Sequence, residues 1–171
     1  MTLIDSLLQE LAAEAPATRR VLERLPDDRL AWRPHPKSRP LGTLAFHIAH
    51  LPAALAGLAV QTEVGAFNLV DPVPTSTAEV VATLDESVAK AKRLLSGMDD
   101  ATATGLWRLV DGDRVLVEMP RIAFLRTLLL NHWYHHRGQL TVYLRELDVP
   151  VPAIYGPSAD EHPLLTAAAT A

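Results

Sequence analysis

Cysteine is absent from all 171 residues of the sequence. That excludes disulfides, iron–sulfur clusters, thiolate zinc sites and a cysteine nucleophile, so any metal must be held by histidine nitrogen and by oxygen. An excess of positive charge is also lacking: 16 Lys and Arg against 20 Asp and Glu give a formal net charge of −4. The basic residues are scattered, with only short pairs such as Arg19-Arg20 and Lys92-Arg93. Nucleic-acid binders usually carry a basic stripe, and none is present. Long apolar runs are missing too. The longest weakly polar stretch, Leu51 to Val60, is too short to cross a bilayer. Asp5, Glu10 and Glu14 near the N-terminus do not suit a signal peptide. With 49% apolar and 21% charged residues, the composition is that of a soluble globular protein with room for one sizeable core. A single domain over residues 1–171, in the cytoplasm, is expected.

Proline and histidine are plentiful instead, with 13 and 7 copies. The prolines punctuate the chain. Apolar spacing predicts a first helix over Thr2–Arg24, which Pro16 should kink or split. Trp32–Pro40 holds Pro34, Pro36 and Pro40 and reads as an extended loop. A second helix is expected over Leu41–Val60, bent at Pro52. A third opens at Ser76 or Thr77, with Glu79 placed for a capping box, and runs to Ser96. Val110-Asp111-Gly112-Asp113 is a turn signal between apolar flanks, giving a short hairpin or structured loop. The fourth helix follows, from Pro120 or Arg121 to Leu147. The tail from Val149 is rich in proline, glycine and alanine, and its end, Thr166–Ala171, is expected to be mobile. Four amphipathic helices fit an all-α helical bundle, and bundles build metal sites from facing helices.

Three histidines fall within five residues of the fourth helix, at His132, His135 and His136. At about 100° per residue, His136 lies roughly 40° from His132. Leu125, Leu128, Leu129, Gln139 and Tyr143 fall within about 60° of His132, while His135 turns about 60° to the other flank. His132 and His136 are therefore the inward pair, and burying two imidazoles is costly unless they share a partner such as a metal ion. The second helix offers His47, about 70° from the centre of its apolar stripe, and His50, about 130° away and toward solvent. His35 in the proline loop and His162 in the tail read as surface residues.

Three segments then carry a family resemblance. One is Trp32-Arg33-Pro34-His35-Pro36-Lys37-Ser38 leading into Leu41-Gly42-Thr43-Leu44-Ala45-Phe46-His47-Ile48-Ala49. Another is Leu130-Asn131-His132 through His136-Arg137-Gly138-Gln139-Leu140 to Tyr143-Leu144-Arg145. The last is Pro152-Ala153-Ile154-Tyr155-Gly156-Pro157-Ser158-Ala159-Asp160-Glu161. In this order they resemble the DinB/YfiT-like family of metal-dependent proteins. The resemblance implies a metal held by one histidine of the second helix and an H-x-x-x-H pair of the fourth, here His47, His132 and His136. It also implies a four-helix bundle of up-down-down-up type, frequent homodimers, and relatives that use bacillithiol, mycothiol or glutathione in transferase and isomerase reactions.

Three neutral imidazoles leave a four-coordinate metal with an open position, the pattern of a catalytic site. Zinc or nickel is expected first, with iron, cobalt and copper also compatible with imidazole. Such a site can activate a low-molecular-weight thiol toward a small-molecule substrate, as a thiol S-transferase does. The alternatives are a hydrolase that activates water and a bundle that binds metal without catalysis. Gln139 and Tyr143 share the inward face and are candidates for supporting or pocket residues. Arg137 reads as a structural salt bridge or cap, Trp107 and Trp133 as packing, and Trp32 as a cover for the pocket mouth. Asp160 and Glu161 read as parts of a packed C-terminal segment, and no general base stands out.

Overall fold

The computed structural model describes residues 1–67 and 71–163. The expected mobile end, Thr166–Ala171, lies outside the described residues. Helix α1 spans Leu3–Leu22, opened by a capping box between Thr2 and Asp5. It buries Ile4, Leu7, Leu11, Val21 and Leu22 at helical spacing and runs through Pro16 without a break. A short 3₁₀ turn, Asp27–Arg29, leads into the proline loop. Helix α2, Leu41–Ala59, is buried through most of its length, from Leu41 to Ala59. By length and composition it could cross a membrane, yet 61% of its apolar window is buried inside the protein, as in a core helix. Helix α3, Thr77–Leu95, starts at Ser76, whose hydroxyl accepts from the Glu79 amide. The other half of the expected box does not close. The Glu79 carboxylate accepts from the amide and hydroxyl of Thr75 instead, at 2.7 and 2.8 Å.

The chain is not all-α. Strand β1, Glu63–Gly65, pairs in parallel with β2, Leu106–Asp111, and β2 pairs antiparallel with β3, Arg114–Pro120, in the order β1-β2-β3. The turn at Gly112, with φ of +56°, closes the β2–β3 hairpin. The expected all-α bundle is therefore corrected to helices joined by a mixed three-stranded sheet. Strand β1 has three residues, too few for a period-2 pattern to show, and it exists because β2 supplies its partner groups. A short helix α4, Asp100–Thr104, capped by Asp99, directly precedes β2. Buried Arg121 joins these parts, donating to the carbonyls of Ala59, Thr102 and Gln61 at 2.6, 2.6 and 3.2 Å. Carbonyls at the ends of α2 and α4 carry partial negative charge, which suits a buried guanidinium.

The last helical segment has three parts: α5, Arg121–Phe124; a π-helical stretch, Leu125–Asn131; and α6, His132–Glu146. Its junction with α2 is set by Pro52. A proline there cannot donate to the carbonyl of Ile48 one turn earlier. The indole of buried Trp133 takes that carbonyl, Nε1 donating at 2.9 Å. On the other side Ser87 of α3 makes the second repair: its hydroxyl accepts from the Ala53 amide at 2.9 Å and donates to the His50 carbonyl at 3.0 Å. Pro52 thus weakens α2 locally and gives two neighbouring helices a specific place to attach.

Ser87→Ala should therefore cost about 1–3 kcal/mol in urea denaturation, the penalty for stranding buried backbone groups. Thr83→Ala is the control, because that hydroxyl only bonds back to the Glu79 carbonyl at 2.9 Å; it should stay within about 0.5 kcal/mol of the parent. Equal effects would show that the Pro52 repair contributes nothing.

Candidate metal centre

His47 sits in the buried first half of α2, with 3% of its side chain exposed. His132 opens α6 directly after the π-helical stretch, and His136 follows one turn later. A π-turn is a frequent companion of functional sites because it re-aims the residues that follow it. One nitrogen from each of the three rings comes within 4.8 Å of the others. Ring centroids lie 5.4 Å apart for His47–His132, 4.8 Å for His47–His136 and 4.5 Å for His132–His136. Sequence reasoning chose these same three residues, and the fold brings them together.

The other nitrogen of each ring decides what the cluster can do. His132 Nδ1 lies 3.2 Å from the Leu128 carbonyl oxygen, and His136 Nδ1 lies 2.9 Å from Gln139 Oε1. Oxygen acceptors at both Nδ1 atoms favour the Nδ1–H tautomers, which turn a lone pair on each Nε2 toward the cluster. Those two Nε2 atoms face each other at 2.7 Å. Lone pairs so placed repel, and a cation between them relieves the repulsion. His47 Nδ1 lies 2.9 Å from Asp71 Oδ2, at ion-pair distance but outside a hydrogen bond's angular range. Both ring nitrogens of His47 are buried without a hydrogen-bond partner among the described residues. The residues thus fit a metal: three imidazoles with one ligating nitrogen available on each, an oxygen acceptor behind His132 and His136, the usual support for a metal-binding histidine, and the Asp71 carboxylate at ion-pair distance behind His47.

Burial lowers the proton affinity of all three. His47 falls from 6.5 to about 4, chiefly through desolvation, with the Asp71 carboxylate opposing and the Arg39 charge reinforcing the drop. Desolvation likewise holds His132 and His136 below the usual histidine value. Neutral imidazole is the form that binds metal.

The remaining residues divide differently from the helical-wheel expectation. The buried face of α6 is Trp133, Arg137, Leu140, Tyr143 and Leu144, so His132 and His136 lie on its half-buried flank rather than at its centre. Arg137 is buried. It pairs with Glu14 at 2.7 Å, bonds Thr18 and the Tyr155 hydroxyl, and lies over the Tyr134 and Tyr155 rings. Its role is structural, as expected. Gln139 is exposed, not inward, and acts by holding His136. Tyr143 is buried against the edge of Trp32, with ring centroids 5.9 Å apart, and is a core residue. Trp32 accordingly packs on that core. His50 does not point to solvent: its Nδ1 lies 3.2 Å from the Phe46 carbonyl oxygen and 3.2 Å from Asp71 Oδ1. His47, His50 and Asp71 form a second group close enough for a cation. There the proton that His50 Nδ1 donates to the carbonyl blocks that nitrogen as a ligand. His135 is exposed beside His136, His35 is exposed and accepts from the Lys37 amide at 3.1 Å, and His162 is exposed in the tail. Asp160 and Glu161 bind Arg145, Arg20 and Arg24 and the amides of Val151 and Ala153, so the tail motif is a packed segment.

Asp71 and Arg39 were not visible as site residues in the sequence. Asp71 reads there as one more polar residue beside a loop proline. Its carboxylate, 3% exposed, meets His47, His50 and Arg39 only because the loop folds over α2.

Comparison with known proteins gives a consistent picture. A profile described as the DinB family matches residues 1–164. An uncharacterized protein, YrdA, of Bacillus subtilis strain 168 is 29% identical over 161 residues, covering 92% of this chain and 91% of that protein. The crystal structure of a DinB-like protein from Bacillus cereus ATCC 10987 is similar with a TM-score of 0.68 and 31% identity, over 88% of this chain and 97% of that one. A second DinB-like protein, YjoA from Bacillus subtilis, has a TM-score of 0.66 at 16% identity, over 87% of this chain and 96% of that one, a likeness of fold.

The depressed histidines make a pH prediction for the metal-free protein. Folded His47 titrates at about 4, below the 6.5 of the unfolded chain. Between those values the unfolded state binds more protons, so stability is present above pH 6.5 and is lost as pH falls toward about 4. His132 and His136 contribute in the same direction. Urea midpoints of the chelated protein should fall across this window, and His47→Gln should flatten the slope. A parallel slope in the variant would remove His47 as its source.

Proposed function

This chain belongs to the DinB family, and from that premise we propose that it is a metal-dependent enzyme that activates a low-molecular-weight thiol. The observation that carries the reading is the pair of Nε2 lone pairs converging at 2.7 Å, with the unpartnered Nε2 of buried His47 beside them. Three neutral nitrogen ligands leave a first-row divalent metal with an open position, as catalytic sites do. Imidazole suits zinc, nickel, iron and copper alike, and zinc or nickel is the expectation carried forward. A metal so held supplies Lewis acidity, which lowers the pKa of a thiol that reaches it. The chain's own residues then have defined tasks. Leu128 and Gln139 keep His132 and His136 in one tautomer, and Asp71 backs His47.

A thiol is favoured over water as the activated nucleophile on chemical grounds, because attack by water needs a group placed to take its proton. A thiol needs less help, because the metal's charge favours its anion directly. The absence of cysteine from the chain fits this chemistry, since no protein thiol competes for the metal.

Elemental analysis of untagged protein tests the metal, with about one ion per chain expected. His132→Ala should lose it. Metal-loaded protein is then assayed with cellular thiols and an electrophile. Turnover above the His132→Ala level supports the enzyme. Stoichiometric metal that raises the melting temperature, with no turnover for any thiol, would leave a non-catalytic metal-binding protein.

A further inference from the structure

The carboxylate behind His47 also holds a positive charge. Arg39, at the end of the proline loop, donates from Nη1 to Asp71 Oδ2 at 2.9 Å, the same oxygen that lies 2.9 Å from His47 Nδ1. One buried oxygen therefore ties the guanidinium to a candidate ligand. The two partners differ in exposure: the Asp71 side chain is 3% exposed and that of Arg39 is 45% exposed. Arg39 makes no other hydrogen bond among the described residues, so most of the guanidinium's five donors are without a partner among them. The shared oxygen places Arg39 beside His47, and its charge adds a small part, after burial, to the lowered proton affinity of the three rings.

We propose that Arg39 is the anion-recognising residue of this site, taking the carboxylate of a small ligand whose thiol reaches the metal. This rests on the metal and thiol reading above and adds to it the class of thiol: one that carries its own carboxylate. Charge balance is the physical reason. A divalent cation and Arg39 are opposed nearby by one carboxylate, Asp71, which leaves a half-buried site with surplus positive charge. A neutral thiol that gives up its proton removes part of that surplus, and a carboxylate on the same molecule removes more. Guanidinium geometry adds direction, because its planar fork pairs with both oxygens of a carboxylate, which an ammonium cannot match. Asp71 holds one arm of the fork and orders the side chain before the ligand arrives, which lowers the entropy cost of binding. The plainer role for Arg39, a half-exposed ion pair that clasps two loops, predicts no ligand selectivity.

Cobalt-loaded protein provides the test, because thiolate coordination is visible in its absorption spectrum without any turnover. The probes are mercaptopropionate and its uncharged amide, mercaptopropionamide. The parent protein should bind the carboxylate form about tenfold more tightly, the size of one charge-assisted hydrogen bond. Arg39→Gln should bind both probes alike while its affinity for the amide stays near that of the parent. Equal binding of the two probes by the parent overturns the proposal, and so does a preference that survives in Arg39→Gln. Both results leave thiol binding at the metal standing. If cobalt is bound but neither probe changes its spectrum, the thiol reading fails and this proposal fails with it. Should Arg39→Gln lose cobalt, the preference is read in the parent against sodium chloride. It should shrink as salt screens the half-exposed guanidinium, and a salt-independent preference counts against Arg39.

Discussion

Two histidine lone pairs held face to face, with no freedom to turn away, are the constraint around which the rest of the site is arranged. Neither His132 nor His136 can flip its ring without giving up an acceptor at Nδ1, the Leu128 carbonyl for one and the Gln139 side chain for the other. The repulsion between the Nε2 atoms is therefore built into the local helix geometry. A cation placed between them would relieve it. His47 completes the set from a different helix, already neutral because it is buried, and backed by the loop residue Asp71.

The same helices carry the fold's main points of attachment, so site and core are not independent. Pro52 lies five residues beyond His47, and Trp133 follows His132 directly. The indole that satisfies the Ile48 carbonyl fixes how α6 lies against α2, and thereby how far His132 and His136 stand from His47. Ser87 performs the matching service on the α3 side. A proline that would be a defect in an isolated helix here sets the register between the helices that bear the candidate ligands. The π-helical stretch just before His132 adds to this, because it changes which residues face α2 after the turn.

Charge is distributed with the same logic. Two arginines, Arg121 and Arg137, are buried away from the histidines and neutralised there, the first by helix-end carbonyls and the second by Glu14. Arg39 differs: it is half exposed, shares Asp71 with His47, and has donors to spare. Buried structural arginines and a solvent-facing one beside the ligands are easily confused in sequence. They separate only when the partners of each are known.

Much was legible in the residues alone. The periodic apolar positions located the long helices, Ser76 and Asp111-Gly112 marked a helix start and a hairpin turn, and the H-x-x-x-H spacing with His47 pointed to one cluster, because these signals are local or repeat at the helical period. Without cysteine, a metal could only be held by histidine and oxygen. Tertiary structure decided the rest. Strand β1 is too short to announce itself and exists only by pairing with β2. The wheel angles assumed regular α-geometry and put His132 and His136 on the inward face, whereas Trp133 and Arg137 occupy the core side of α6. Asp71 and Arg39 meet His47 through a loop, and no periodicity records a loop's path. The sequence determined which side chains could bind a metal; the fold decided which nitrogens point at one another, which acceptors hold them there, and which charge stands beside them, because these depend on contacts between residues far apart in the chain.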